Sequence, residues 1–266
     1  MNKIISKEFK LNDRVLLSII DIDDLDNDFI KILDDNFVSI CEGNSGSKLE
    51  IVKKRVVDLF STKNYDWILG ATAEFFIHLY IRTNGYKQEC MYLNLEENSI
   101  KKGFDGFYSR NNETWLMESK AGSIDSKNVT HSGKVILAMN DLTKKVSGKD
   151  KTGKREKPNN PWQEAYAHAG HCDIGTAKEI RYSLKTLADN FVIGNYKTID
   201  EFNTMPCGTV FLSGTWKQFD HENIKETINQ LEHKLLGKQV HVICVTNKSV
   251  KLFINYINGR INNESK

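Results

Sequence analysis

Residues 101–122 read KKGFDGFYSRNNETWLMESKAG, two strand-like pieces joined by a short polar turn. Apolar and polar residues alternate in both pieces, and the joint SRNNE is a turn signal, so we predict a hairpin. Because side chains alternate along a strand, the Trp and Met of the second piece would face the core while Glu118 and Lys120 share the other face. In such a hairpin Asp105, on the first strand, would lie opposite Glu118 or Lys120.

The pattern on both sides of the hairpin predicts an α/β fold with a mixed central sheet flanked by helices. A strand is predicted over 85–97, so that the hairpin becomes a meander of three strands. Helix-spaced apolar positions predict helices, in chain order, over 24–40, 47–61, 65–83, 131–146, 161–191, 221–236 and 249–259. Further strands are predicted over 9–22, 207–215 and 239–247.

The chain of 266 residues is long enough for one large domain. We interpret residues 1–64 as a mostly helical N-terminal region and residues 65–266 as the main domain, the two forming one compact unit. The stretch 147–161 is predicted to be a basic surface loop. Five scattered cysteines without a CxxC pair favour buried thiols over disulfides. The N-terminus lacks the apolar core of a signal peptide and the apolar runs are too short for a bilayer, so we expect a cytoplasmic protein with no membrane contact.

The acidic residues of the hairpin predict a metal site. Two close carboxylates repel each other unless a cation lies between them, and Mg²⁺ prefers hard oxygen ligands. Asp105, Glu118 and the main-chain carbonyl of Ser119 would supply three oxygens to Mg²⁺ or Mn²⁺. Lys120 would orient the attacking water or stabilise charge on a phosphate. This chemistry suits phosphodiester hydrolysis.

The E-x-K string alone is a weak signal, because it also occurs at Glu8–Lys10 and Glu232–Lys234. The alternative for residues 118–120 is an exposed Glu–Lys pair that contributes little to stability. What distinguishes residues 118–120 is the apolar strand pattern around them and the aspartate strand just upstream.

An aspartate on one strand and E-x-K on the next, with a helix before and after, resembles the PD-(D/E)xK nuclease superfamily over about residues 65–145. The resemblance implies a restriction-endonuclease-like core and metal-dependent hydrolysis of DNA. It implies that Asp105, Glu118 and Lys120 are catalytic, and that Glu74, on the preceding helix, is a further catalytic residue and possible metal ligand. Phe104 stands where the superfamily has a proline.

More narrowly, GFDGFY and WLMESKAG, followed by a helix and the late strand VFLSGT, resemble the HamA family, the nuclease subunits of Hachiman anti-phage systems. This resemblance implies a DNase that forms a complex with a HamB-like helicase partner, which restrains it until abnormal DNA is present. The sequence has no P-loop pattern GxxxxGK[ST], so any use of ATP would fall to that partner.

Basic residues after the hairpin predict contacts with DNA phosphates. The candidates are Lys127, Lys134, Lys144 and Lys145, together with the strip 144–157, which holds seven basic residues and two acids. The alternative for this strip is a solvated loop.

Two other functions remain open at this point. In the first, the chain is a free-standing restriction or repair endonuclease with the same site. In the second, it is a non-enzymatic subunit that binds DNA or assembles a complex.

The string HAGHC has a zinc site as an alternative interpretation, in which His168, His171 and Cys172 would need Cys207 or His131 as a further ligand. Histidines in a helix interior are the simpler interpretation of that string.

Overall fold

The structure is a computed structural model that describes residues 4–94, 99–100, 103–149 and 159–259. Over these residues the strands, in chain order, are β1 Lys7–Lys10, β2 Val15–Ile22, β3 Lys87–Gln88, β4 Leu93–Asn94, β5 Ser99–Ile100, β6 Gly106–Arg110, β7 Glu113–Ser123, β8 Asn203–Phe211 and β9 Val240–Asn247. The α-helices are α1 Asn27–Glu42, α2 Leu49–Ser61, α3 Tyr65–Thr83, α4 His131–Val146, α5 Pro161–Ala169, α6 Lys178–Val192, α7 His221–Gln230 and α8 Val250–Ile257.

Seven strands form one mixed sheet in the order β1-β2-β9-β8-β7-β6-β3. The four central strands β2, β9, β8 and β7 run parallel, and antiparallel pairs close both edges. The predicted α/β class with a mixed sheet is therefore confirmed. Within residues 1–64 the chain forms two helices and also two strands, and β2 pairs with β9 along its whole length.

Helices cover both faces of this sheet. One apolar cluster joins α1, α2, α3 and α8 to one face, which we call the α3 face, through residues such as Trp115 and Met117 of β7. A second cluster joins α4, α5, α6 and α7 to the opposite face, the α4 face, through residues such as Leu116. Each fully buried large apolar side chain stabilises the fold by about 1.5–3 kcal/mol. Both faces of β7 are thus buried, and its side chains alternate between the two clusters as predicted.

The predicted hairpin is present as β6 and β7. Its two loop residues, Asn111 and Asn112, have φ values of 51° and 62°. A two-residue loop with positive φ at both positions matches the right-handed twist of the paired strands, and asparagine tolerates this conformation. The loop sets the register, which runs from Arg110 opposite Glu113 to Gly106 opposite Met117.

Several elements differ from the sequence prediction. The strand predicted over 9–22 is two strands, β1 and β2, which pair antiparallel. The first strand of the meander is short, because after β3 the chain leaves the sheet and Tyr92 donates its N–H to Ile40 O and its hydroxyl to Ala71 O. The helix predicted over 161–191 is two helices, α5 and α6, since Gly170 ends the first and Gly175 follows with φ +60°.

Four of the five cysteines are buried, but Cys172 is exposed because it lies in the turn between α5 and α6. No helix among the described residues has both the length and the apolar character needed to cross a bilayer. Residues 150–158, which hold most of the predicted basic loop, lie outside the described ranges.

Candidate active site

The hairpin brings two carboxylates together at the start of β6. The last residue pair of the hairpin is Gly106 with Met117. Asp105 directly precedes Gly106, so the register of the hairpin places Asp105 opposite Glu118. Its Oδ2 accepts a hydrogen bond of 2.8 Å from the N–H of Ser119. Asp105 therefore lies beside β7 at the E-x-K string, as the sequence predicted.

Helix α4 packs over this part of β7. Thr130 caps its first turn, since its Oγ1 accepts the N–H of Gly133 at 3.0 Å. Val135 and Leu142 belong to the buried stripe of α4 that the sequence predicted. This stripe holds α4 against the sheet.

Gly208 explains how closely α4 approaches the sheet. It lies on β8 directly beside Lys120. A Cβ atom there would be 2.7 Å from the carbonyl oxygen of His131 and 3.0 Å from the N of Val135. Only glycine leaves room for the α4 backbone at this point, and this close contact brings α4 within reach of the charged side chains of β7.

Lys120 is held between the strand and the helix. Its Nζ is 2.8 Å from Glu118 Oε1 on the same strand and 2.9 Å from Asp141 Oδ2 on α4. Burial lowers the pKa of Lys120, but the charges of Glu118 and Asp105 outweigh it, so that the pKa is raised. Lys120 is a fixed cation with two carboxylate partners.

Lys145, one turn after Asp141 on α4, binds the other oxygen of Glu118. Its Nζ is 2.5 Å from Glu118 Oε2 and 2.5 Å from the carbonyl oxygen of Gly103, and 3.9 Å from Asp105 Oδ1. We call Asp105, Glu118, Lys120, Asp141 and Lys145 the charged cluster. Its three acids and two ammonium groups leave one net negative charge.

Glu118 is the centre of the charged cluster and is only 1% exposed. Burial, and then the charge of Asp105, raise the pKa of its carboxyl, while Lys145 and Lys120 act in the opposite direction. A carboxyl in such a site is held by specific cations rather than by water. Buried carboxyls with a shifted pKa occur often at functional sites, although structural ion pairs also produce such shifts.

The oxygens of the charged cluster fit a divalent cation. Glu118 Oε2, Asp105 Oδ1 and Gly103 O already surround one cation, the Lys145 ammonium. All three are the hard oxygen donors that Mg²⁺ and Mn²⁺ prefer. The Ser119 backbone, whose N–H binds Asp105, borders the same site.

Glu74 lies on the other side of the sheet. It is on α3, where its Oε1 is 3.4 Å from His78 Nε2, and His78 in turn contacts the hydroxyl of Tyr108. Glu118 and Lys120 instead contact α4, on the opposite face of the sheet.

The four candidate DNA-binding lysines occupy different surroundings. Lys127 is exposed, and Lys134 is half-buried beside Gly122, where burial and the charge of Lys120 lower its pKa. Lys145 belongs to the charged cluster, a position that its place in a basic strip did not indicate.

Lys144 lines a groove on the outer side of α4 with Lys149 and Lys197, which we call the lysine groove. Hydroxyl side chains border it, from Thr143, Ser147 and Thr198. Lys197 pairs with Glu201 at 2.8 Å, whereas Lys144 and Lys149 have no carboxylate partner in the described part of the chain.

The residues of the zinc alternative do not come together as a set. His131 Nε2 is 3.1 Å from Thr246 Oγ1 and Cys207 is buried in the sheet, so neither joins the HAGHC turn. Ligand atoms of His171, Cys172 and Asp173 do lie within 4.8 Å of one another. These groups are consecutive and partly exposed, an arrangement that is common without a metal.

Sequence reasoning missed Asp141 and the role of Lys145. A signal was present, since both residues flank the buried stripe of α4 and are spaced i, i+4, which places them on one side of the helix. The contact of the Gly103 carbonyl with Lys145 has no sequence signal.

Comparison with known proteins adds no relative. No family model matches the chain, and no curated protein shows significant similarity to it. The charged cluster and the resemblance in the hairpin are therefore what support a functional proposal.

Proposed function

We propose that this chain is a metal-dependent deoxyribonuclease that hydrolyses phosphodiester bonds. The observation that carries the proposal is the meeting of Asp105, directly before β6, and Glu118, on the neighbouring strand β7, around a single cation position beside Lys120. The order of α3, the antiparallel strands β3, β6 and β7, and then α4 supports a restriction-endonuclease-like core, to which residues 1–64 add a part rich in helix.

Each residue of the charged cluster has a role in this proposal. Asp105 and Glu118 would hold Mg²⁺ or Mn²⁺, with the Ser119 carbonyl as a third oxygen. The bound cation would polarise the scissile phosphate and lower the pKa of an attacking water. Lys120, fixed by Glu118 and by Asp141, would stabilise negative charge that develops on the phosphate.

Glu74 is a weaker candidate within this proposal. Its carboxylate lies with His78 on the α3 face, whereas Glu118 and Lys120 contact α4 on the opposite face. A role for Glu74 therefore rests on the resemblance alone, and the catalytic set that the contacts support is Asp105, Glu118 and Lys120.

The lysine groove supports a polyanionic substrate. Lys144 and Lys149 form no ion pair among the described residues, and the three lysines of the groove outnumber its one acidic residue, Asp200, which favours binding of phosphate oxygens. Neighbouring hydroxyls, such as that of Thr198, are also common donors to phosphates. Lys127 and Lys134 remain candidates for further phosphate contacts.

The biological setting follows from the resemblance to HamA. We propose that the nuclease is the effector of a bacterial anti-phage complex in the cytoplasm, with a helicase partner that restrains it until abnormal DNA is present. A free-standing restriction or repair endonuclease would use the same residues without that restraint.

The test is degradation of DNA in phage-challenged cells that express the chain with its genomic neighbour. The wild type is compared with Glu118→Gln plus Lys120→Ala, and with Glu8→Gln plus Lys10→Ala, which alters the same E-x-K string on the exposed strand β1. Circular dichroism of each purified variant checks folding. We expect DNA loss with the wild type and the β1 variant, and none with the Glu118 variant.

The other outcomes separate the alternatives. DNA loss with all three proteins would show that the charged cluster is not the nuclease site. Phage protection without DNA loss, equal in all three, would identify a non-enzymatic subunit. DNA loss without the genomic neighbour would favour a free-standing endonuclease.

A further inference from the structure

The ammonium group of Lys145 lies at the meeting point of two acidic side chains from different strands. It is 2.5 Å from Glu118 Oε2 and 3.9 Å from Asp105 Oδ1, and the Gly103 carbonyl accepts a third contact at 2.5 Å. These are the oxygens that the proposed nuclease would use to hold its divalent cation. Lys145 and that cation therefore need the same place.

The two cations repel each other at this position. A Mg²⁺ ion bound to Glu118 Oε2 at about 2.1 Å would lie no more than roughly 4.6 Å from Lys145 Nζ, because Nζ is itself 2.5 Å from that oxygen. Glu118 is buried, so little water lies between the charges to screen their repulsion. Binding of a divalent cation to these oxygens is thus opposed while Lys145 holds them, and it favours the departure of Lys145.

Lys145 has a second acceptor within reach. Asp141 lies one turn earlier on α4, and side chains at i and i+4 are neighbours on a helix surface. The Asp141 carboxylate is 38% exposed and, among the described residues, has one cationic contact, with Lys120. The flexible four-carbon stem of Lys145 can move its ammonium from Glu118 toward Asp141 or toward a substrate phosphate.

We propose that Lys145 is an internal competitor for the divalent cation, holding the position between Glu118 and Asp105 and leaving it when the cation binds. This inference rests on the proposed function. A ligand that binds only one conformer loses apparent affinity in proportion to the population of that conformer. If Lys145 is bound to Glu118 in nine molecules out of ten, the apparent affinity for the cation falls about tenfold.

The experiment is a titration of the purified full chain with Mn²⁺, without DNA, in which free Mn²⁺ is measured by electron paramagnetic resonance. Lys145→Met and Lys145→Gln both remove the charge. Two such variants are used so that the test still stands if one of them fails to fold. Lys145→Arg keeps the charge. Lys53→Met is the matched control, since Lys53 is also a largely buried lysine with a carboxylate partner, Asp34, but lies on α2.

We expect the Met and Gln variants to bind Mn²⁺ at least tenfold more tightly than the wild type, and Mn²⁺ to raise their thermal midpoints by more. The Arg variant and the Lys53 control should bind like the wild type, and Glu118→Gln should abolish tight binding. If the wild type and the Met variant bind Mn²⁺ with equal affinity, and Glu118→Gln abolishes binding in both, the metal site is supported but the competition by Lys145 is overturned. Absence of Mn²⁺ binding in every protein would overturn the metal site itself.

Discussion

Replacing Glu118 with Gln should remove a charge that two ammonium groups share. Lys120 would keep Asp141, but Lys145 would be left with the Gly103 carbonyl and a distant Asp105. Removing one partner of a buried ion pair lowers the free energy of unfolding by about 3–5 kcal/mol, because the remaining charge is desolvated and unpaired. Since Lys145 is 28% exposed, we expect the lower end, about 3 kcal/mol.

Urea unfolding at pH 7 in the presence of EDTA measures this loss. With a slope of roughly 3 kcal/mol per molar urea, the midpoint should fall by about 1 M. The double variant Glu118→Gln plus Lys145→Met replaces both charges with neutral side chains of similar size, and it should recover at least about 1 kcal/mol. Such recovery would show that the cost of the single variant comes from the stranded ammonium.

The matched control is Asp189→Asn, which breaks the exposed pair with Lys185 on α6. An exposed i, i+4 pair contributes about 0.3–0.5 kcal/mol, so the midpoint should hardly move. If Glu118→Gln and Asp189→Asn shift the midpoint equally, Glu118 is not a desolvated, ion-paired carboxylate, and the argument for a cation position fails with it.

Further predictions concern the lysine groove, the buried His241 and two glycines, one at the contact of α4 with the sheet and one on α3. Changing Lys144 and Lys149 to Ala should reduce the slope of log K against log salt for duplex DNA by about 1.8, and an unchanged slope in a filter-binding assay would remove the groove from the interface. Burial lowers the pKa of His241 to about 4, so between pH 6.5 and 4 the unfolded chain binds one more proton than the folded protein, and the free energy of unfolding decreases as pH falls. In urea unfolding, His241→Asn should reduce this decrease by about 1.4 kcal/mol per pH unit. An equal dependence on pH in the wild type and the variant would contradict the prediction. Gly208→Ala should cost about 1–3 kcal/mol in the same assay by pushing α4 from the sheet. Gly70→Ala, on α3 with open space around the new methyl group, should instead stabilise the protein by up to about 1 kcal/mol.

The sequence by itself determined the elements whose signals are local. Two asparagines at a two-residue loop specify the turn of the hairpin, and the turn specifies the register that brings Asp105 to Glu118. The apolar spacing from Val135 to Val146 specified the buried side of α4. These predictions succeeded because turn conformation and helix periodicity depend on neighbours within a few residues along the chain.

Tertiary structure alone decided which charges meet. Lys145 stands in a basic strip of the sequence, and packing of α4 on β7 brings its ammonium to Glu118, 27 residues away in sequence. Packing also places Glu74 on the α3 face, away from the charged cluster. The physical reason is that an ion pair between distant residues depends on how closely two elements approach, and here that distance is set by the missing side chain of Gly208 on a third element, β8.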